Sequence, residues 1–237
     1  MDAFWTEEQI ILRNKTRDYF RREGEALCRG VSTATGAGGP PRSTSAAKAH
    51  PLTLSMSIRR DLGISKDGDG FPVFSGSAGV SERVLIIEEA SLCLPRLGLD
   101  LMKRWLSGEA GSSPEERLFR LARIIGTAAH VFEAGAREAR DRGFFESSLM
   151  GCRELQEGLA GLACGVEILR LGACRICHLL ERGERDRGEA ESVPLYEKAL
   201  ALGREARSVA LGLLGEAWTR DKLPGDEFSS EYERNRP

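Results

Sequence analysis

The chain has 237 residues, of which 41% are hydrophobic and 30% are charged. These values are ordinary for a globular protein, and they exclude a wholly disordered chain and a membrane protein built from apolar spans. The 34 basic and 36 acidic residues are interleaved along the chain, so nothing indicates a surface for nucleic acid. Residues 1–8 do not resemble the start of a signal peptide, and we expect a cytoplasmic protein.

The N-terminal segment predicts a long helix followed by a loop. Thr6 and Gln9 have the spacing of a capping box, which predicts a helix over about 6–27. Residues 30–50 are rich in Gly, Ser, Thr, Ala and Pro. A stretch with so few large apolar side chains cannot offset the entropy of ordering, so it predicts a mobile loop.

The next segment predicts short elements and then a second long helix. A short helix is expected around 54–62, and a stub of strand is expected near 71–74. The second long helix should start near Ser81, bend at Pro95 and end at about Leu106.

The C-terminal half predicts three more long helices. Residues 107–113 form a linker, and Pro114 suits the first turn of the third helix. The fourth helix has an unbroken apolar stripe over 155–180 and should stop before Gly183. A fifth helix is expected to reach about Trp218.

Long helices joined by short connections predict an all-α helical bundle. We divide the chain into an N-terminal helical domain over 1–106, the linker over 107–113 and a C-terminal helical bundle over 114–237.

Four stretches carry a likeness to one known family. They are 6–20 (TEEQ, then LR and RDYF), 62–90 (LGI, a glycine-rich turn, then VLIIEEA), 116–160 (ERL, then ARDRGFF, then Q and LA) and 213–221 (LLGEAWTRD). In this order they resemble the acyl-CoA dehydrogenases, flavoenzymes with an N-terminal helical domain, a middle β domain and a C-terminal helical domain. The resemblance implies that this chain keeps both helical domains and lacks the β domain.

The resemblance also implies residues that contact FAD. Arg142 and Phe145 match family residues that reach the flavin's adenine diphosphate part across a subunit interface, and Gln156 is a weaker companion. A planar guanidinium suits a pyrophosphate because its donors meet two oxygens at once. The alternative is that Arg142 only stabilises a helix C-terminus and that Gln156 faces solvent.

Glu116 is the candidate catalytic residue. Some family members place their base on this helix in a similar Glu-Arg-Leu context, and a carboxylate can abstract an acidic α proton. The alternative is a solvated side chain, because glutamates in a first helical turn are favoured by the helix dipole.

The positions of the cysteines and histidines favour structural roles over catalysis or metal binding. The six cysteines lie mostly in apolar helical patterns, which is typical of reduced, buried thiols. Cys174, Cys177 and His178 match a haem-attachment pattern, but their position inside a regular helix favours helix packing. His50 and His130 have no second ligand at a metal-binding spacing, so we expect no metal site.

The leading functional hypothesis is a subunit of a heteromeric, FAD-dependent acyl-CoA dehydrogenase. Its partner would be a subunit that still has the β domain, and the substrate would be an acyl-CoA. Two alternatives stay open. One is a non-enzymatic helical interaction or assembly protein, and the other is a self-sufficient oxidoreductase whose homodimer uses Glu116 as base.

Overall fold

The computed structural model describes residues 5–34, 64–66, 72–74, 79–106, 113–141, 143–144, 147–148 and 152–223. Within these ranges seven helices carry almost all of the secondary structure, which confirms the predicted all-α fold. They are α1 (Glu7–Ala34), α2 (Val80–Cys93), α3 (Pro95–Trp105), α4 (Pro114–Asp141), α5 (Arg153–Glu181), α6 (Arg185–Leu213) and α7 (Glu216–Lys222). Two small antiparallel hairpins pair β1 (Ile64–Lys66) with β2 (Pro72–Phe74), and β3 (Gly143–Phe144) with β4 (Ser147–Ser148).

The start of α1 is the predicted capping box. The backbone N–H of Gln9 donates to Thr6 Oγ1 at 3.2 Å, and the N–H of Thr6 donates to Gln9 Oε1 at 3.0 Å. The helix continues to Ala34, past its predicted end, so the loop predicted over 30–50 does not begin at residue 30. The rest of that loop and the helix predicted around 54–62 lie outside the described residues.

Pro95 separates two helices and does not bend one, so that part of the prediction is wrong. Leu94, between α2 and α3, has extended backbone angles with φ −150° and ψ 102°. A proline disfavours helical angles in the residue before it, and its own N–H is not needed in a first turn. The N–H of Leu94 still donates to the Ala90 carbonyl at 2.8 Å, which closes α2.

Two glycines end the last long helices. Gly183, with φ 78°, turns the chain between α5 and α6 as predicted. Gly215, with φ 87°, ends α6 near Leu213, so the prediction that this helix reaches Trp218 is wrong. A left-handed residue interrupts the helical hydrogen-bond pattern, and glycine adopts it without a steric penalty. Trp218 consequently belongs to the separate helix α7.

Helix α4 is at the centre of the bundle and packs against α2, α5 and α6. It approaches α2 tightly at Gly126, where a Cβ would lie 2.2 Å from the Glu88 carbonyl oxygen and 2.6 Å from Ser91 Cβ. One buried apolar cluster joins α2 and α3 to the helices after the predicted linker. Its members include Val84, Ile87, Met102, Leu118, Leu121, Ile125, Leu162, Val166, Leu169, Ile176, Leu202 and Ala206. The division into two domains stays a prediction.

Helices α5 and α6 pack closely against each other. Leu202 of α6 is seated over Gly165, and Leu195 is seated over Gly172; at either glycine a Cβ would come within 2.5 Å of the leucine. No described helix contains an apolar stretch long enough to cross a bilayer.

Candidate functional site

Glu116 lies in the first turn of α4 and is held there by its neighbours. Its backbone N–H donates to Ser113 Oγ at 3.1 Å, which caps the helix. Its carboxylate accepts hydrogen bonds from Arg120 Nη2 at 2.6 Å and from Arg120 Nε at 3.1 Å. Only 12% of the side chain is exposed. The predicted base is therefore largely buried and is engaged by a guanidinium one turn away.

The same end of α4 is tied to α6 by further polar contacts. Arg117 donates from Nε to Ser192 Oγ at 2.8 Å, and its Nη2 bonds to Glu189. Arg185 donates to the carboxylate of Glu115 at 3.0 Å. These contacts join two helix N-termini, so the charged residues around Glu116 fasten α4 to α6.

The predicted cofactor contacts are separated from Glu116 in the sequence by most of α4. Gln156 is exposed in the first turn of α5. Arg142 and Phe145 lie outside the described residues, although the sequence puts them directly after α4. Glu116 is 25 residues before Asp141, which corresponds to about 38 Å along a helix. Glu116 and the last residue of α4 are therefore at opposite ends of that helix.

A buried set of charges joins α1, α2 and α5, and the sequence did not predict it. This arginine–glutamate cluster consists of Arg13, Arg17, Glu88, Glu89 and Arg170. Glu89 is 0% exposed and Glu88 is 3% exposed. Glu89 Oε1 accepts from Arg13 Nε and from Arg17 Nη2, and its Oε2 accepts from Arg17 Nε, each at 2.7 Å. Two carboxylates are thus stabilised inside the bundle by three guanidinium groups.

Glu88 connects the cluster to α5. Arg170 Nε donates to Glu88 Oε1 at 2.6 Å, and Arg13 Nη2 lies 3.7 Å from the same oxygen. Arg170 Nη1 also donates to Glu167 Oε1 at 2.6 Å. The signal in the sequence was the pair Glu88-Glu89 at the end of an apolar helical run, because a buried charge needs a partner.

The pKa directions agree with this pairing. The hydrogen bond to Glu89 raises the pKa of Arg17, and partial burial opposes that shift. Burial by itself would lower the pKa of Arg170, but the charges and hydrogen bonds of Glu88 and Glu167 together raise it. These guanidinium groups therefore stay charged, and their strong hydrogen bonds to carboxylates hold α1 and α5 against α2.

A second polar junction lies at the N-terminus of α2. Gln9 Nε2 donates to Ser81 Oγ at 3.1 Å, and Ser81 Oγ donates to Glu181 Oε1 at 2.5 Å. His178 Nδ1 is 3.9 Å from the other oxygen of Glu181. In a hydrolytic triad the histidine stands between the serine and the carboxylate. Here the carboxylate stands between them, so the arrangement joins three helices and does not match a nucleophile with its base.

Cys174 and Cys177 are buried and His130 is partly buried, all with structural surroundings. Cys152 and Cys164 are exposed, so the prediction of buried thiols is wrong for these two. Burial raises the pKa of Cys174 to about 11 and raises that of Cys177 still further, so both remain thiols. His130 Nδ1 is 2.8 Å from the Leu92 carbonyl oxygen, and the ring stacks on Trp218 with centroids 5.7 Å apart. Burial lowers the pKa of His130. Within the part of the chain that the structure describes, no group of three His, Cys, Asp or Glu residues could hold a metal ion.

Comparison with known proteins gives no relative. No family model, curated protein or solved structure matches the chain. The resemblance to acyl-CoA dehydrogenases therefore stays a prediction from the sequence.

Proposed function

We propose that this chain is a helical subunit of a heteromeric, FAD-dependent acyl-CoA dehydrogenase. In this proposal it supplies scaffold and flavin contacts to a partner subunit that has the β domain. Arg142 would bind the pyrophosphate of FAD, with Phe145 and Gln156 beside it. The chain would bind neither flavin nor acyl-CoA productively without its partner.

The observation that carries this proposal is the separation of the predicted groups. Gln156 is exposed at the start of α5, near the end of α4 that leads to Arg142. Glu116 lies at the opposite end of α4, about 38 Å along the helix from Asp141, and Arg120 engages its carboxylate there. A side chain exposed at the end of a bundle is well placed to reach into another subunit. That position supports a contribution to a partner's cofactor over a site formed within one chain.

The ion pairs that join the helices also support a scaffold role. The buried carboxylates of the arginine–glutamate cluster are hydrogen-bonded to guanidinium groups that join helices. The Glu116 carboxylate is likewise bonded to Arg120. A general base must be within reach of the proton it abstracts and must be able to accept it. A carboxylate bonded to a guanidinium is poorly suited to that role, which counts against the self-sufficient oxidoreductase.

The test is isolation of the tagged protein from the cells that produce it, followed by a visible absorption spectrum of the complex. We expect oxidised flavin in stoichiometric amount together with a larger subunit. Arg142→Ala should remove most of the flavin from the complex. The matched control is Arg140→Ala, because Arg140 is exposed and its Nε donates only to the Ala136 carbonyl of its own helix, at 3.1 Å, among the bonds described.

Three outcomes would count against the proposal in different ways. A colourless complex would favour the non-enzymatic assembly protein. Equal flavin content in Arg142→Ala and Arg140→Ala would remove Arg142 from the site. Flavin bound by the purified chain alone, with acyl-CoA oxidation that Glu116→Gln abolishes, would establish the self-sufficient enzyme instead.

A further inference from the structure

Helix α5 is covered on three sides and exposed on the fourth. Its buried sides face α4, α6 and, through Arg170, the carboxylate of Glu88 on α2. The remaining side carries what we call the outer stripe of α5. Its members, all exposed, are Glu157, Ala160, Cys164, Ile168, Leu171 and Arg175.

The middle of the outer stripe is apolar. Ile168 is 58% exposed and Leu171 is 44% exposed, and they are two of the five large hydrophobic side chains found exposed in the described residues. Single exposed hydrophobic residues are normal on a protein surface. A continuous apolar patch on one helix face, with charged residues at both ends, is typical of an interaction site.

The outer stripe follows one straight line along the helix. Five steps cover the 18 residues from Glu157 to Arg175, and their average equals the 3.6 residues of one helical turn. The stripe is therefore about 27 Å long. Its residues stay on one face from end to end, as a helix–helix contact requires.

The positions of the outer stripe are also nearly symmetric about its centre, and its two ends carry opposite charges. About a centre near residue 166, Cys164 lies as far to one side as Ile168 lies to the other, and Ala160 nearly mirrors Leu171. Glu157 mirrors Arg175. When two such helices run antiparallel, Glu157 of each copy faces Arg175 of the other, and apolar residues meet in between. A parallel arrangement would bring like charges together.

We propose that the outer stripe of α5 binds a second copy of this chain, in an antiparallel α5–α5 contact around a two-fold axis near residue 166. A two-fold interface must be complementary to itself, and symmetric spacing with an acid at one end and a base at the other meets that condition. A different partner helix would not require this symmetry. The contact does not depend on the proposed flavin function.

The existing ion pairs are compatible with this contact. Glu157 accepts from Arg153 at 2.7 Å on its own helix, and Arg175 donates to Glu191 of α6 at 2.6 Å and 2.8 Å. Each is an exposed pair, and such pairs contribute little affinity but set the orientation of a contact. Because one pair of helix faces buries a modest area, the dissociation constant should be in roughly the micromolar range.

The first experiment measures association of the full chain by sedimentation velocity over a dilution series. We expect a monomer–dimer equilibrium, and Ile168→Glu should weaken it by at least about tenfold because it puts a charge at the centre of the contact. Val193→Glu is the matched control. Val193 is also an exposed apolar residue, 44% exposed, but it lies on α6 and outside the outer stripe. Val193→Glu should therefore leave association unaltered.

The second experiment tests orientation. Arg175→Glu should weaken association, and Glu157→Arg should do the same. The double variant, Glu157→Arg with Arg175→Glu, should restore it, because the antiparallel contact then has its charges exchanged. Each variant also disturbs an ion pair within one copy, and the double variant does not repair those pairs. Restoration therefore reports on the contact between copies and not on the fold.

The third experiment uses the thiol near the centre. In the antiparallel contact the two Cys164 Cα atoms would be about 10–12 Å apart. With Cys28 and Cys152 replaced by serine, a bismaleimide with a short spacer should link two copies, and Ile168→Glu should prevent the link. A monomer at every concentration, equal dimerisation of Ile168→Glu and Val193→Glu, or no restoration by the double variant would overturn the proposal. Arg142→Ala should leave dimerisation unchanged, which separates this test from that of the flavin function.

Discussion

Glu89→Gln removes the charge at the centre of the arginine–glutamate cluster while it preserves the size of the side chain. Glu89 accepts three hydrogen bonds at 2.7 Å from Arg13 and Arg17. An amide has a single oxygen, so its NH2 group must face at least one guanidinium donor. The variant therefore loses an ion pair, loses an acceptor and leaves two partly buried positive charges without their main counter-charge.

The expected loss of stability follows from burial. Breaking a buried ion pair by removal of one partner costs about 3–5 kcal/mol. The side chains of Arg13 and Arg17 keep 15% and 28% exposure, so water can partly solvate them and the loss should be near the lower limit. About 3 kcal/mol corresponds to a fall in Tm of about 6–12 °C for a chain of this size.

Urea unfolding followed by far-ultraviolet circular dichroism measures this loss directly. The control is Arg153→Gln, which breaks the ion pair with Glu157. The side chain of Arg153 is 87% exposed and that of Glu157 is 64% exposed. That change should alter the free energy of unfolding by no more than about 0.5 kcal/mol. If Glu89→Gln costs no more than its control, the cluster does not hold α1 to α2 and the argument from burial is wrong.

Three further predictions concern packing, pH and thiol reactivity. Gly126→Ala should lower the free energy of unfolding by about 2–3 kcal/mol, because its Cβ would lie 2.2 Å from a backbone oxygen of α2. Gly161→Ala should be tolerated, because its Cβ would meet only the movable end of a glutamate side chain, at 2.7 Å. Urea unfolding compares the stability of the two variants. Burial lowers the pKa of His130 below its ordinary 6.5, so the unfolded chain binds a proton that the folded chain resists. Stability should therefore fall as pH drops below about 6.5 and level off below the folded pKa, and His130→Asn should show a smaller fall in the same pH series. A maleimide should label Cys164 rapidly in the native protein and Cys177 only after unfolding, because Cys177 is 1% exposed and burial raises the pKa of its thiol. Peptide mass mapping before and after denaturation distinguishes the two sites. Equal labelling of both cysteines in the native protein would contradict the burial of Cys177.

Local signals were enough to predict most of the helices. The capping box at Thr6, the first-turn Pro114 and the turn at Gly183 depend on hydrogen bonds and backbone angles within a few residues. The prediction failed at Pro95 and at Gly215, where an apolar pattern continues across a residue that breaks the helix. Periodicity reports which face is apolar, and it does not report whether the backbone is continuous.

The candidate site was less predictable because its geometry depends on residues far apart in the chain. Glu116 was identifiable as a glutamate in a first helical turn, and its pair with Arg120 is local, four residues along the helix. The contacts of Arg117 with Ser192 and of Arg185 with Glu115 at the same end of α4 required the tertiary structure. Arg142 and Phe145 lie outside the described residues, so their roles stay predictions. The outer stripe of α5 is periodic in the sequence, yet only the packed bundle shows which face of that helix is left exposed.

By itself, the sequence determined that this protein is an all-α bundle, because helix caps, glycine turns and a 3.6-residue apolar period act over short distances. Only the tertiary structure decided which charges are buried together. Arg17 and Glu89 are 72 residues apart, and Arg170 and Glu88 are 82 residues apart. No local pattern can specify such a pairing, since it exists only after α1 and α5 have packed on either side of α2.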